Sequence, residues 1–242
     1  MIVMNEKIQV LNIGIDDCTA KEAMKQTVEY MGTEPVSVIE LVTVDTVMYA
    51  SEEPKLRESI ECVDLVLPGE KEILEGADIT EKRHLQEVEQ RTYLRMFLRY
   101  LHKNHFRVFL LVETEEEAEA FYQYLEERYS GIQVAGMAKV SPTDSADDLV
   151  VNAVNGAETD CVIAALSAPA EQEFIVRNRS ILNARVWLGI GKGENPIYRS
   201  RSRMQKIGAG LSNHKRFFKR EIEKNAEKMK IGNGCELPIE SA

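Results

Sequence analysis

Short, nearly continuous apolar runs alternate along the chain with longer segments in which apolar positions recur at helical spacing. The apolar runs predict strands at 7–15, 36–44, 63–68, 106–112, 132–138, 160–166 and 184–191. The amphipathic segments predict helices at 19–31, 54–61, 80–102, 114–129, 145–156 and 169–182. Strands that are apolar throughout are typical of a sheet covered on both faces. The alternation predicts an α/β fold: a Rossmann-like, mostly parallel sheet flanked by helices, with right-handed crossovers.

The composition changes near residue 195, where a basic segment begins. The chain has 30 basic and 40 acidic residues and a formal net charge of −10. Residues 199–230 nevertheless contain eleven Lys or Arg and three Glu. We therefore predict two parts, an α/β domain at 1–195 and a basic helical C-terminal appendage at 196–242.

The basic segment has three interpretations. Its cations and two phenylalanines suit anionic lipid head groups or a lipid-linked diphosphate, because each basic residue near an anionic surface contributes roughly 1 kcal/mol. The second interpretation is a helix with an ordinary charged face, in which three acids fit at helical spacing: Glu221, Glu223 and Glu227. The third is a homo-oligomer, with the apolar positions of 207–218 forming a contact between copies.

Several classes of protein are disfavoured by the composition. No run of about 18 apolar residues is long enough to span a bilayer, and the N-terminus has no pattern typical of a secretory signal. The four cysteines are scattered, which fits a reducing cytoplasm. The four histidines lack metal-ligand spacing, so we expect no metal and no cofactor. We also expect no nucleic-acid partner for this acidic chain.

A ligand site is expected at the carboxyl ends of the strands, as in other open α/β sheets. Asp45 and Glu70 each follow a predicted strand, so their carboxylates could face one crevice. A carboxylate there could act as a general base or hold a sugar hydroxyl. The alternative for each is a solvated loop acid or a helix cap.

A glycine-rich turn at 189–193 offers a second feature of this edge. The pattern G-x-G-x-G lacks the full dinucleotide fingerprint and lies late in the chain, which argues against a nicotinamide enzyme. Backbone N–H groups here could approach a phosphate, with Lys192 supplying charge. A simple strand-to-helix turn is the alternative.

Five stretches, in this order and spacing, resemble one known family. They are LNIGIDDCTAKEAMKQ (11–26), the segment at 42–70 that ends in LPGE, the strand–helix–strand unit at 106–136, VIAALSAPAEQEFIVRNRSIL (162–182) and RMQKIG (203–208). Together they are similar to the bacterial N-acetylmannosaminyltransferase family TagA/WecG/CpsF, and the resemblance covers about residues 7–222.

The resemblance implies a reaction. Members transfer an N-acetylhexosamine from a UDP-sugar to a polyprenyl-diphosphate-linked sugar during synthesis of cell-surface polysaccharides. The transfer inverts the anomeric centre, with a carboxylate base and no required metal. The resemblance also implies a cytoplasmic protein, peripheral at the inner face of the cell membrane, whose basic appendage (199–230) approaches the membrane surface.

The resemblance also suggests roles for individual residues. Glu70 or Asp45 would be the base, and Thr43 and Gln172 would contact the sugar or its diphosphate. Three further positions join the substrate-binding set: Pro169, Gly191 and Lys192. Arginines of the appendage would neutralise a diphosphate, for which forked guanidinium groups are suited: Arg199, Arg201 and Arg203.

The sequence departs from the family pattern at the site itself. Gly69 occupies the position of the family's candidate base, and the acid comes one residue later. Asp45 replaces an Asn. Val112 and Glu113 replace a Gly-Gly turn, Ala170 replaces a Lys, and Glu171 and Gln172 reverse a Gln-Glu pair. GKGEN (191–195) stands where the family has Gly-Gly-x-Phe-Asp. Three hypotheses remain open: a divergent glycosyltransferase, a non-catalytic relative that binds a sugar nucleotide, a lipid-linked sugar or a protein partner, and a nucleotide-binding regulator.

Overall fold

The structure is a computed structural model that describes residues 6–140, 147–196 and 213–232. The described strands are β1 (Lys7–Val10), β2 (Ile13–Asp16), β3 (Ser37–Val42), β4 (Leu65–Pro68), β5 (Arg107–Val112), β6 (Gln133–Lys139), β7 (Cys161–Ala164) and β8 (Val186–Gly189). The described helices are α1 (Ala20–Tyr30), α2 (Val44–Glu52), α3 (Pro54–Glu61), α4 (Lys71–Gly76), α5 (Lys82–Glu89), α6 (Thr92–Asn104), α7 (Glu115–Arg128), α8 (Asp147–Gly156), α9 (Ala170–Asn178) and α10 (Asn213–Gly232).

Six strands form one parallel sheet in the order β4-β3-β8-β7-β5-β6. The predicted α/β fold with a mostly parallel sheet is therefore confirmed. Because all six strands run in one direction, their carboxyl ends lie on the same edge, where a ligand site is expected.

Local chemistry sets the start of two predicted helices. Thr19 and Glu22 form the capping box at the start of α1: the Thr19 hydroxyl accepts from the Glu22 N–H at 3.3 Å, and the Glu22 carboxylate accepts from the Thr19 N–H at 2.9 Å. Pro54 stands in the first turn of α3, where its missing N–H leaves no hydrogen bond unmade.

Three predicted elements are wrong in detail, and backbone conformation explains two of them. The expected single strand at 7–15 is an antiparallel hairpin, since Leu11 and Asn12 both adopt positive φ and reverse the chain. The expected helix at 80–102 is divided into α5 and α6 at Arg91, whose φ is 52°. The strand expected to run to residue 44 ends at Val42, because the next residues begin α2.

Apolar side chains cover both faces of the sheet. On one face α2, α3, α8 and α9 pack over buried residues that include Trp187, whose ring stacks on Phe174 at a centroid distance of 5.6 Å. On the other face α1, α6 and α7 pack over a second cluster around Phe97. Burial of each such side chain stabilises the fold by about 1.5–3 kcal/mol, which explains why strands apolar on both faces predicted this architecture.

The C-terminal helix α10 packs on α2 and α4. Phe218 is only 2% exposed, and its ring lies 3.2 Å from the position that a Cβ on Gly76 would occupy. Phe217, the next residue back, is 47% exposed. Phe218, one of the apolar positions considered for a contact between copies, is thus buried within its own chain. In the described ranges, none of the helices has the length and apolar character needed to cross a bilayer.

We expect Phe218→Ala to release α10 from α2 and α4, because truncating a buried Phe costs about 3–5 kcal/mol. Limited trypsin digestion measures the release, since α10 contains many Lys and Arg residues that become cleavable when the helix undocks. The matched control is Phe217→Ala, which we expect to be cleaved at the wild-type rate. Equal cleavage of the two variants would show that Phe218 does not hold the helix.

Candidate functional site

Four of the predicted site residues meet at the carboxyl edge of the sheet. Thr43 directly follows β3 and caps α2: its Oγ1 accepts from the Thr46 N–H at 3.1 Å. Gly191 follows β8 with a φ of 70°, and a Cβ there would lie 2.9 Å from the Thr43 Cγ2 atom. Glycine is therefore required at 191 both by its backbone and by the closeness of Thr43. The two loops after the neighbouring strands β3 and β8 touch at this point.

Glu70 and Asp45, the two candidate bases, are also brought together. The Glu70 Oε2 atom accepts from the Val44 N–H at 3.3 Å, so its carboxylate lies against the first turn of α2, where Asp45 is exposed. Burial raises the pKa of Glu70 above its ordinary value, the nearby Asp45 adds to the rise, and Lys215 opposes it. A half-buried carboxylate with a raised pKa is a stronger base than an exposed one, which suits it to accept a proton.

Lys215 of α10 reaches this carboxylate from the C-terminal part of the chain. Its Nζ atom lies 3.6 Å from the Glu70 Oε1 atom and 2.9 Å from a Glu72 carboxylate oxygen. The docking of α10 through Phe218 therefore places a cation beside the candidate base. Sequence reasoning did not select Lys215, because the contact joins positions 145 residues apart and nothing local signals it.

A half-open cleft lies at the carboxyl ends of β3 and β4, and its lining includes the residue directly before Glu70. Leu41, Leu67, Pro68 and Gly69 form an apolar part of its lining. Polar groups enter from α5, the turn between α5 and α6, and the loop before α1: His84, Arg91 and Asp17. An apolar cleft with a few polar side chains is the usual form of a small-molecule site.

Arg91 brings a cation to this cleft. Its left-handed backbone, which separates α5 from α6, places its guanidinium in an ion pair with Glu194 after β8. Glu194 is only 7% exposed, so the pair holds the guanidinium against the turn that follows β8. Arg91 was not among the predicted site residues, because the sequence pattern placed it within a continuous helix.

Gly69 shows why the acid stands at position 70. The Gly69 N–H donates to the Val42 carbonyl at 2.8 Å, and a Cβ on residue 69 would lie 2.9 Å from that same oxygen. An aspartate at 69 would crowd the backbone of β3 in this loop conformation. The carboxylate of the next residue instead reaches the start of α2.

Lys192 occupies a different corner of the edge, in a network of two carboxylates. Its ammonium pairs with Glu113 after β5 and lies 3.3 Å from the Glu117 Oε1 atom. Glu113 also accepts from the Ser167 N–H at 2.6 Å. The structure therefore uses Lys192 to tie together the loops after β5, β7 and β8, and its charge is already balanced.

The remaining predicted residues lie apart from the cleft or outside the described ranges. Gln172 is 3% exposed, and its side-chain amide donates to a Glu40 carboxylate oxygen at 3.3 Å in the core. Pro169 is half-buried directly before α9. The three arginines of the appendage fall outside the described residues: Arg199, Arg201 and Arg203. Among the residues that the structure describes, no group of three or more His, Cys, Asp or Glu side chains could hold a metal ion.

Comparison with known proteins finds matches over the part of the chain that contains the parallel sheet. The model of the Glycosyl transferase WecG/TagA/CpsF family matches residues 8–194. Similar relatives include the N-acetylglucosaminyldiphosphoundecaprenol N-acetyl-beta-D-mannosaminyltransferases of Staphylococcus aureus strains MRSA252, NCTC 8325 / PS 47 and COL. Each is 21% identical over 187 residues, which cover 76% of this chain and 73% of the relative.

Proposed function

Because the chain belongs to the WecG/TagA/CpsF glycosyltransferase family, we propose that it transfers an N-acetylhexosamine from a UDP-sugar to a polyprenyl-diphosphate-linked acceptor. The names of its relatives combine an N-acetylmannosaminyl group with a lipid-diphosphate sugar, and this chemistry supports cell-surface polysaccharide synthesis as the setting. The observation that carries the proposal is the half-buried Glu70 carboxylate, which accepts from the Val44 N–H at the carboxyl edge of the sheet and directly follows Gly69 of the apolar cleft.

In the proposed reaction, Glu70 takes the proton from the acceptor hydroxyl. The hydroxyl oxygen then bonds to the anomeric carbon of the donor sugar, and the bond from that carbon to the UDP oxygen breaks with its electron pair leaving on UDP. Attack from the face opposite UDP inverts the anomeric centre. Asp45 is the second candidate base, since it lies at the same turn. Thr43 and Gly191 border the sugar or its diphosphate.

Cations supply the charge that the departing diphosphate requires. Arg91 lines the cleft, but its guanidinium already pairs with the buried Glu194. A guanidinium can bind a phosphate with two parallel hydrogen bonds. We assign the same role to Arg199, Arg201 and Arg203 at the start of the appendage, which we take to span 196–242. Lys192 is better suited to hold the loops than to bind phosphate, because two carboxylates already neutralise it.

We also propose that residues 199–230 bring the enzyme to the membrane surface as a peripheral protein. The cations are unevenly distributed within this range. Residues 217–227 contain three cations and three acids, whereas 199–216 contain six cations and no acid. The contact with anionic head groups is therefore assigned mainly to the first part of the segment.

The test of the proposed function is UDP release from purified protein. A panel of UDP-hexosamines is supplied with a synthetic polyprenyl-diphosphate sugar acceptor and membranes. We expect release that depends on the acceptor. Saturable binding of a UDP-sugar without release would instead establish a non-catalytic relative. Absence of both would direct attention to a protein partner.

A further inference from the structure

Two buried carboxyl groups face each other beneath the candidate site. Glu40 of β3 is fully buried and Glu171 of α9 is 1% exposed. Gln172, the residue after Glu171, donates to a Glu40 carboxylate oxygen at 3.3 Å, so the two carboxyl groups are neighbours. Gln172 and Trp187 complete the surroundings of Glu40. Within the described ranges, the groups that face Glu40 from the packed elements include no cation. One Glu40 oxygen lacks a hydrogen-bond partner there.

Charge and geometry together indicate the protonation state. Two ionised carboxylates cannot remain side by side in an apolar interior without a cation, because burial and mutual repulsion both oppose the second charge. The Glu40 oxygen that receives no hydrogen bond also lacks a donor that would stabilise a negative charge, which favours the protonated form. Consistently, burial raises the pKa of Glu40 to about 7, and burial together with Glu40 raises the pKa of Glu171 above its ordinary range.

The surrounding backbone is shaped around this pair. The Glu40 carboxyl fills the space beside Gly189, where any Cβ would overlap it. The Glu171 carboxylate accepts from the Leu166 N–H at 3.1 Å and from the Gly191 N–H at 3.3 Å. Glu171 therefore joins the loops after β7 and β8, and Gly191 in turn contacts Thr43 at the site.

We propose that Glu40 and Glu171 share one proton and act as positioning residues that hold the Gly191 turn against Thr43. Neither carboxyl group contacts the substrate in this scheme. When the shared proton is lost, two negative charges repel each other beneath the turn, and the turn moves away from Thr43. The positioning role rests on the proposed function, whereas the shared proton does not.

The shared proton is tested on the wild-type protein by infrared spectroscopy in D₂O. We expect a carbonyl band of a protonated carboxyl group at pH 7, and we expect Glu40→Gln to remove it. Glu117→Gln is the matched control: Glu117 is equally buried, but it accepts from backbone N–H groups and lies beside Lys192, so the band should remain. Absence of the band in the wild type at pH 7 would overturn the shared proton.

Trp187 provides a second measurement, because it is the single tryptophan of the chain and lies beside Glu40. Its fluorescence should change as the pH rises through the value at which the pair ionises. The change should disappear in Glu40→Gln, and in Glu171→Gln if the first variant fails to fold. A titration that persists unchanged in a folded variant would contradict the assignment.

The positioning role is tested by the pH dependence of UDP release. Wild-type activity should fall on the alkaline side as the pair loses its proton, and Glu40→Gln, which cannot ionise, should retain activity there. If the infrared band is confirmed but UDP release by the two proteins falls identically as the pH rises, the shared proton stands and the positioning role is overturned. If the wild type releases no UDP, the proposed function fails. The pH dependence of saturable UDP-sugar binding is then compared between the wild type and Glu40→Gln. A fall in the wild type alone supports the positioning role, and an identical pH dependence overturns it.

Discussion

Replacing Glu70 with Gln should lower acceptor-dependent UDP release by about 100-fold or more. General-base catalysis contributes roughly 10²–10⁴-fold, and an amide of the same size cannot take the proton of the acceptor hydroxyl. The protein should remain folded, because the ion pair of Glu70 with Lys215 is partly exposed and such pairs contribute about 0–1 kcal/mol. Initial rates of UDP release and chemical denaturation of the same preparations provide the two measurements.

Glu72→Gln is the matched control for this variant. Glu72 also pairs with Lys215, at 2.9 Å, so the control removes a neighbouring carboxylate and the same type of ion pair. Its UDP release should stay within a few-fold of the wild type. Asp45→Asn forms a third arm, because Asp45 lies at the same turn. Loss of activity in Asp45→Asn with normal activity in Glu70→Gln would transfer the role of base to Asp45.

The fold was largely predictable because the hydrophobic pattern reports burial directly. Strands β3, β5 and β7 are apolar on both faces, and only a sheet covered by two helical layers buries such strands. The errors fall where single backbone conformations decide the outcome. Leu11, Asn12 and Arg91 adopt positive φ, which is uncommon for residues other than glycine; of the three, only Asn12 is of a residue type enriched there. The helical spacing of the apolar positions is interrupted between Val88 and Tyr93, and this interruption is the sequence feature that marks the break at Arg91.

The candidate site was predictable as a location but only partly in its contacts. Thr43, Asp45, Glu70 and Gly191 follow strands that end at one edge, so parallel topology brings them together. The contacts of Lys192 and Gln172 depend on distant partners. Lys192 meets carboxylates 75 and 79 residues away, and Gln172 meets Glu40 across 132 residues. Sequence spacing carries no information about such pairs, and the same holds for Lys215 beside Glu70.

A triple replacement of Arg199, Arg201 and Arg203 by Gln should weaken binding to anionic vesicles roughly 100-fold at low salt. Each cation near an anionic surface contributes about 1 kcal/mol, and about 1.4 kcal/mol corresponds to a factor of ten in affinity. Co-sedimentation with phosphatidylglycerol vesicles measures the change, with phosphatidylcholine vesicles as the uncharged comparison. Wild-type binding should also fall as salt is raised, because ions screen exposed charges.

The charge-matched control replaces three cations of α10 with Gln: Lys219, Arg220 and Lys224. It removes the same number of positive charges from a stretch that contains equally many acids, where Lys224 already lies 2.6 Å from a Glu221 carboxylate oxygen. We expect this control to lose much less affinity than the arginine triple. Equal losses would mean that binding follows net charge and not a local contact at 199–203. Failure of the wild type to bind anionic vesicles would show that the basic segment serves the diphosphate or another contact. Residues 199–216 contain six cations, of which Lys215 pairs with Glu70 and Glu72, and a membrane-facing segment of this charge must respond to an anionic surface.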